Sequence, residues 1–442
     1  MPSYKMIFEK AAKEGIEALE LVVRKSQEFS FSLFHNEIDS YNISSSYVLM
    51  ARGIYNGKLG YASSEKLDSS TPDYLISHIK ENAKLTTSED KPFIFPGSKK
   101  YFKKNVYSKK LEALSKEEKI ARAKKLDMRI REKCDKIQEV QTQYGETGEE
   151  IIMMNSYGLN LRSKTNYSYI YSSAIAVDEA GETKNGFALK IMQEPDDLDI
   201  EELSDKAIKK TLDQFGSKPC HSDKYKAVLS PDATGSLLAA FLSNLSSEQT
   251  QKHASLLEGK LGEKIASRKL TVTESPLQKN VFFRYFDDEG VATSNKTLIK
   301  NGVLKTYLYN LKTANKDNVE STGNGYKGHG GAIGISMVNV ALKPGKLSEK
   351  ELIEKCGNGI YINDLSGLHA GLNPQSGNFS LLAQGFLIED GKLTQPVALI
   401  TAAGNLFKVF NDIIDIGNNV ELQMNSYQVP SILIKSLAIS GE

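Results

Sequence analysis

The sequence predicts an α+β protein whose N-terminal half mixes helices with antiparallel strands and whose C-terminal half is mainly β with a few helices. Three observations carry that prediction. Alternating, β-rich stretches occur in both halves. The pairs Asn56-Gly57, Asn301-Gly302 and Asp390-Gly391 sit between apolar runs, where residues that accept positive φ close tight hairpins. Helical patterns cluster in the first 250 residues, with one more near 348–356. A chain of 442 residues is long for one domain. We expect an N-terminal region over 1–218, divisible into 1–110 and 111–218, and a β-rich C-terminal domain over 219–442.

Residues 4–14 open with a short helical pattern, and 20–46 then alternate, with Leu21, Val23, Phe29, Phe31 and Leu33 on one parity. The segment 47–63 reads as a hairpin about Asn56-Gly57. Helices are expected over 71–83 and 116–134. Short strands separated at Tyr157-Gly158 and Asn185-Gly186 suggest a meander over 137–192, followed by a helix over 201–215. The run 216–219 (GSKP) joins a helix stop to a proline that cannot continue it. Beyond it come a strand over 225–229 and a helix over 233–245, with Pro231 and Asp232 near its start. No repeat recurs at a fixed period.

Lys plus Arg number 56 against 55 Asp plus Glu, so there is no overall field to attract a polyanion. The Lys-rich stretches 99–110 and 116–125 read as solvated loop and helix surface. Three cysteines, Cys134, Cys220 and Cys356, lie far apart with no CxxC pair, which suits a reducing cytoplasm and suggests neither a disulfide framework nor a zinc knuckle. The first residues lack the apolar core of a signal peptide, and no uncharged apolar run approaches membrane-spanning length.

Familiar catalytic signatures are absent or fail on context. Residues 323–328 (GNGYKG) match GxGxxG literally, but a polar loop precedes them and more glycine follows, whereas phosphate binding needs a strand before and a helix after. There is no Walker A or nucleophile-elbow pattern. No two of the six histidines lie four apart, so no local zinc pair is encoded, and the adjacent Cys220 and His221 are poorly placed to share one ion. His329 and His369, both in glycine-rich loops, are the better candidates for ligand contact.

The helix after Pro231 is the most informative element. Leu237, Leu238, Phe241, Leu242 and Leu245 form one apolar face, while Ala239, Ala240, Ser243 and Asn244 occupy the other side. A solvent-facing side would ordinarily carry Lys and Glu, so small neutral groups predict a face that lines a cavity or packs on another element.

Several stretches together resemble the TldD/PmbA family, long labelled modulators of DNA gyrase and regarded as subunits of a metallopeptidase. They are 286–293 (FDDEGVAT), 298–308 (LIKNGVLKTYL), 321–324 (STGN), 371–380 (GLNPQSGNFS), 383–389 (AQGFLIE) and 400–405 (ITAAGN). In order and spacing they cover most of 225–442, and the hairpin at Asn56-Gly57 resembles the family's N-terminal region. The TldD-like kind of subunit carries HExxxH on the helix just described, two histidines holding zinc and the glutamate serving as base. The corresponding positions here are Ala239, Ala240 and Asn244. Alanine offers no lone pair, and an amide oxygen is a poor substitute for imidazole at zinc. The family also places a cysteine ligand near the C-terminus, and 425–430 (NSYQVP) has none.

The resemblance therefore implies a PmbA-like (TldE-like) subunit without its own zinc or catalytic residues. Zinc is expected in a TldD-like partner, with which this chain would form a heterodimer that trims unfolded or small peptides. A homodimer is expected in isolation, and an apolar partner surface should exist. Asn244, His369 and Asn373 are the candidates for peptide contact. The rival readings are an autonomous metallopeptidase with a scattered metal site and a regulatory or scaffold protein related to gyrase modulation. Neither nucleic acid nor membrane is an expected partner.

Overall fold

A computed structural model describes residues 4–87, 92–327 and 332–442. Helix Tyr4–Lys13 leads into strands β1 (Ala18–Phe34), β2 (Glu37–Tyr55) and β3 (Lys58–Ser64). Helices Thr71–Leu85, Lys109–Ala113 and Lys116–Lys133 follow, then β4 (Ile137–Asn155), β5 (Asn160–Val177) and β6 (Thr183–Met192). The six strands form one antiparallel sheet in the order β3-β2-β1-β4-β5-β6. The hairpin expected at Asn56-Gly57 is present, with φ of 51° and 67°. A second turn of the same kind at His35 and Asn36, φ 50° and 61°, joins β1 to β2 without a glycine.

Helices cover one face of this sheet. Leu19, Leu21, Val23 and Leu49 pack with Ile7, Leu75, Ile76 and Ile79. Farther along β1, Phe29, Phe31 and Leu33 pack with Leu126, Ile130 and Leu203 of helices Lys116–Lys133 and Ile200–Leu212. Two expectations need correction here. The Lys-rich stretches are largely exposed, but Lys119 is not solvated: it is 5% exposed, its Nζ lies 2.7 Å from Glu146 and 5.8 Å from the centre of the Phe29 ring. Asn185-Gly186 does not separate strands but lies within β6, and the glycine is there because the backbone of Lys210 passes 2.5 Å from where a Cβ would stand. On the opposite face, Val22, Ile151, Met153 and Leu161 pack against Phe283, Tyr285 and Phe286, so the C-terminal half docks directly on the sheet.

The second half is mainly β, as expected. Strands Asp223–Leu229, Gly359–Ser366, Asn378–Glu389, Lys392–Asn405 and Ile432–Ser440 pair in a closed ring, because Lys392–Asn405 also bonds Ile432–Ser440. This is a small barrel. A second sheet of six short strands includes Val272–Glu274, Val340–Leu342 and Tyr427–Val429. The turns at Asn301-Gly302 and Asp390-Gly391 both connect hairpin strands. Among the described residues, no helix is long and apolar enough to cross a membrane.

Candidate functional site

Helix Pro231–Leu242 leaves the strand Asp223–Leu229 through a well-capped start. Ser230 Oγ accepts the Ala233 N–H at 3.1 Å and donates to the Asn363 carbonyl, with Pro231 in the first turn, where its missing N–H costs nothing. The expected apolar face is fully buried: Leu237, Leu238, Phe241, Leu242 and Leu245 are all 0% exposed, and the Phe241 ring stands 4.8 Å from that of Phe410. Gly235 lets Gln423 approach to where a Cβ would collide, 2.1 Å from Gln423 Oε1, and Gln423 Nε2 donates to the Pro231 carbonyl. That contact brings the segment around residue 425 against the helix. The last part of the pattern tightens into a 3-10 turn, Ser243–Leu245.

The small-residue side of the helix faces a cleft of about 1200 Å3. Ala239, Ser243 and Asn244 form one wall; Ile335, Ser336 and Met337 a second; and 370–375 with 378–380 a third. Asn425 and Tyr427 line it as well. The structure thus brings together three of the positions singled out from sequence, Ala239, Asn244 and Asn373. Ala240 is half-buried and not on the cleft lining, and His369 is exposed on the short helix Leu368–Gly371, also outside the lining. His329 lies outside the described residues.

Asn244 is 3% exposed, and its Nδ2 donates to the Pro374 carbonyl at 3.0 Å, pinning the third wall to the helix. Asn373 holds the same loop from within: its Oδ1 accepts the Ser376 N–H, and its backbone bonds Asn378 and Gly377. Asn405 closes the turn by donating to the Ser376 carbonyl and to Asn378 Oδ1, both at 2.9 Å. Among the described residues, Glu248 is the one carboxylate or ammonium group on the lining, and it is 2.7 Å from Lys252. The remaining polar groups are amides, hydroxyls and the Tyr427 phenol, whose pKa burial raises.

The charge of this region sits behind the walls, on residues to which the sequence assigned no site role even where, as in 286–293, they carry the family resemblance. Glu274 is 0% exposed and accepts from Lys296 Nζ (2.9 Å), Asn324 Nδ2 and the Val338 N–H. Asn324 Nδ2 also donates to the Ser336 carbonyl, so this network fixes the second wall of the cleft. Next to it, Asp287 accepts the N–H groups of Glu289, Val291 and Gly325, yet burial and the neighbouring Glu289 push its carboxyl up to about 8. Glu289 takes the Leu311 N–H at 2.7 Å, and Asp288 takes the Lys327 N–H. A signal for Glu274 existed: in 272–274 (VTE) the acid shares its parity with buried Val272.

The described lining of this cleft does not fit zinc. Among the described residues it holds no imidazole or thiol and a single carboxylate, Glu248, and the positions aligned by resemblance with zinc ligands are a methyl group and an amide already spent on Pro374. Among the described residues, no group of three or more His, Cys, Asp or Glu is placed to hold a metal ion.

Family models place residues 19–83, 109–215 and 222–441 in the first, central and C-terminal domains of the PmbA/TldA metallopeptidases. An uncharacterized protein of Methanocaldococcus jannaschii is 30% identical across 97% of each chain. The chain belongs to the PmbA/TldD metallopeptidase family. Crystal structures agree. A candidate modulator of a DNA gyrase from Thermotoga maritima superposes with a TM-score of 0.91 at 31% identity, and TldE from Thermococcus kodakarensis with 0.90 at 26%, each over 99% of both chains. This PmbA/TldD chain accordingly keeps the family fold around a cleft whose lining, among the described residues, offers no imidazole or thiol.

Proposed function

We propose that this chain is the non-catalytic, TldE-like subunit of a TldD/TldE-type zinc metallopeptidase that processes unfolded or small peptides in the cytoplasm. A TldD-like subunit supplies the zinc and the activated water, and this chain supplies enclosure and peptide-binding surface. One observation carries the reading: a cleft is present with Ala239 and Asn244 on its wall, and among the described residues its polar lining is amides and hydroxyls with the single carboxylate Glu248, without imidazole or thiol. Such groups match the repeating N–H and C=O of an extended peptide and discriminate little among its side chains. The likeness to TldE of Thermococcus kodakarensis over 99% of both chains supports the same role. All three cysteines are free thiols, which suits a reducing compartment.

The test is to express the chain alone, and together with the TldD-like protein of the same genome, and to measure zinc content and peptide turnover. The expected outcome is co-purification, with zinc and turnover in the combined sample and neither in this chain alone. Stoichiometric zinc with turnover in the isolated chain would overturn the reading in favour of an autonomous peptidase.

A further inference from the structure

The neutrality of the cleft has a single exception. Among the described residues its lining carries no lysine, arginine or histidine and one carboxylate, Glu248. A charge alone in such a setting acts on whatever enters, because nothing else on the walls offsets it. Glu248 is also firmly placed. It lies in the short helix Ser247–Gln251, with Ser246 and Gln249 beside it on the lining. The buried Ser247 hydroxyl donates to Thr313 Oγ1 at 2.8 Å, the Ser247 N–H to the Leu308 carbonyl, and Gln251 Nε2 to the Thr313 carbonyl. Ser255 Oγ donates to the Asn244 carbonyl at 2.8 Å, which ties the same segment to the residue that holds the third wall. The carboxylate is therefore presented from a fixed stretch of backbone.

Its own ion pair leaves it available. Oε1 accepts from Lys252 Nζ at 2.7 Å, while Oε2 accepts no hydrogen bond among the described residues. Lys252 follows four residues on, and its side chain is 63% exposed against 39% for Glu248. Solvated pairs at that spacing hold weakly, so Lys252 screens the carboxylate without occupying it.

We propose that Glu248 sets the substrate preference of the cleft by receiving one positive charge of an extended peptide, its N-terminal ammonium or a Lys or Arg side chain. This rests on the peptide-binding role of the cleft proposed above and adds a preference to it. Amides and hydroxyls serve the main chain of any sequence. A cation in addition meets Glu248 and gains a charge-assisted hydrogen bond to the free oxygen. An acidic side chain finds no ammonium or guanidinium among the described lining residues, so it gives up water without a charged partner and is repelled by Glu248. The cleft thus ranks peptides cationic over neutral over acidic and stays tolerant of sequence in other respects.

Calorimetric titration of the full chain with one series of short peptides tests this independently of zinc and turnover. The series shares an Ala-Ser backbone capped at both ends and varies one feature: a central Gln, a central Lys, a central Glu, or the Gln peptide with a free N-terminal amine. The readout is each Kd relative to that of the capped Gln peptide. A cation is expected to gain about fivefold and Glu to lose a similar factor. In Glu248→Gln both ratios should fall to about one, and in Lys252→Gln, which removes the competing ammonium, they should widen. A gain for the free amine assigns the site to peptide N-termini, and a gain for Lys assigns it to internal basic residues. Ratios near one in the wild type, ratios unchanged by Glu248→Gln, or ratios narrowed by Lys252→Gln would each overturn the inference while leaving the peptide-binding cleft in place. Failure of every peptide to bind would overturn that underlying reading as well.

Discussion

The cleft and the acid cluster behind it adjoin through the hydrogen bond from Asn324 to the Ser336 carbonyl and are built from opposite materials. Among the described residues the cleft lining is neutral but for Glu248, and its amides are exposed or spent on holding loops. Behind it, Glu274, Asp287 and Glu289 are at most 6% exposed, each tied to backbone N–H groups on other segments. Position therefore separates two uses of polar chemistry in one fold. Carboxylates whose donors all come from the protein itself, backbone N–H groups of other segments foremost, serve as internal fasteners, because an unmet partner in low dielectric is costly. The open wall keeps the geometry those fasteners impose while carrying almost no charge of its own.

The sharpest way to break that contrast is Glu274→Ala. It leaves the Lys296 ammonium, the Asn324 amide and the Val338 N–H without their acceptor, and removing one member of such a buried pair costs about 3–5 kcal/mol. Denaturant unfolding should show that loss, together with weaker peptide binding as the 335–337 wall loosens. A loss below about 1 kcal/mol would mean that the acid is not a fastener.

The next effect is a pH dependence. The Asp287 carboxyl is raised from 3.8 to about 8, first by burial and then by Glu289, so the folded chain keeps a proton that the unfolded chain releases. Its contribution is fully present below about pH 4 and is lost as pH rises toward 8, in total on the order of a few kcal/mol. Asp287→Asn, which cannot ionise, should flatten the fall in stability across that window while costing some stability at every pH, since an amide nitrogen cannot accept the Gly325 N–H. An unchanged slope in unfolding midpoint against pH would remove Asp287 as its source.

How much of this was legible from sequence follows the range of the interactions. Turns and helix starts are local, so Asn56-Gly57, Asn301-Gly302, Asp390-Gly391 and a helix start near Pro231 and Asp232 could be read directly, two residues late at 233 and without its Ser230 cap. The His35-Asn36 turn could not, because it uses a side chain that tolerates positive φ less well than glycine and is held by the long strands flanking it. Asn185-Gly186 misled for the converse reason: a residue pair typical of turns was placed by the approach of a distant helix to the strand. The helix face of Ala239, Ser243 and Asn244 gave a true sign of a cavity, since a long polar side chain there would fill it. The opposing walls at 335–337 and 425–427 come from residues about 90 and 180 positions away, which no periodicity connects.

The three amide and imidazole candidates give the smallest and most discriminating test. Asn244→Ala removes the donor that holds the Pro374 carbonyl, a buried bond whose loss costs about 1–2 kcal/mol, and it should lower peptide turnover in the reconstituted complex by displacing the 373–376 loop. Asn373→Ala leaves the backbone bonds of that loop in place and removes only the side-chain acceptor for Ser376, so its cost should be about 1 kcal/mol or less. His369→Ala should change stability by no more than about 0.5 kcal/mol and leave turnover untouched, because the ring is exposed and lies off the cleft. That order ties function to the walls of the cleft. If His369→Ala alone reduced turnover, peptide contact would have to extend over the rim beyond Ala370, and the neutral lining would be only part of the binding surface.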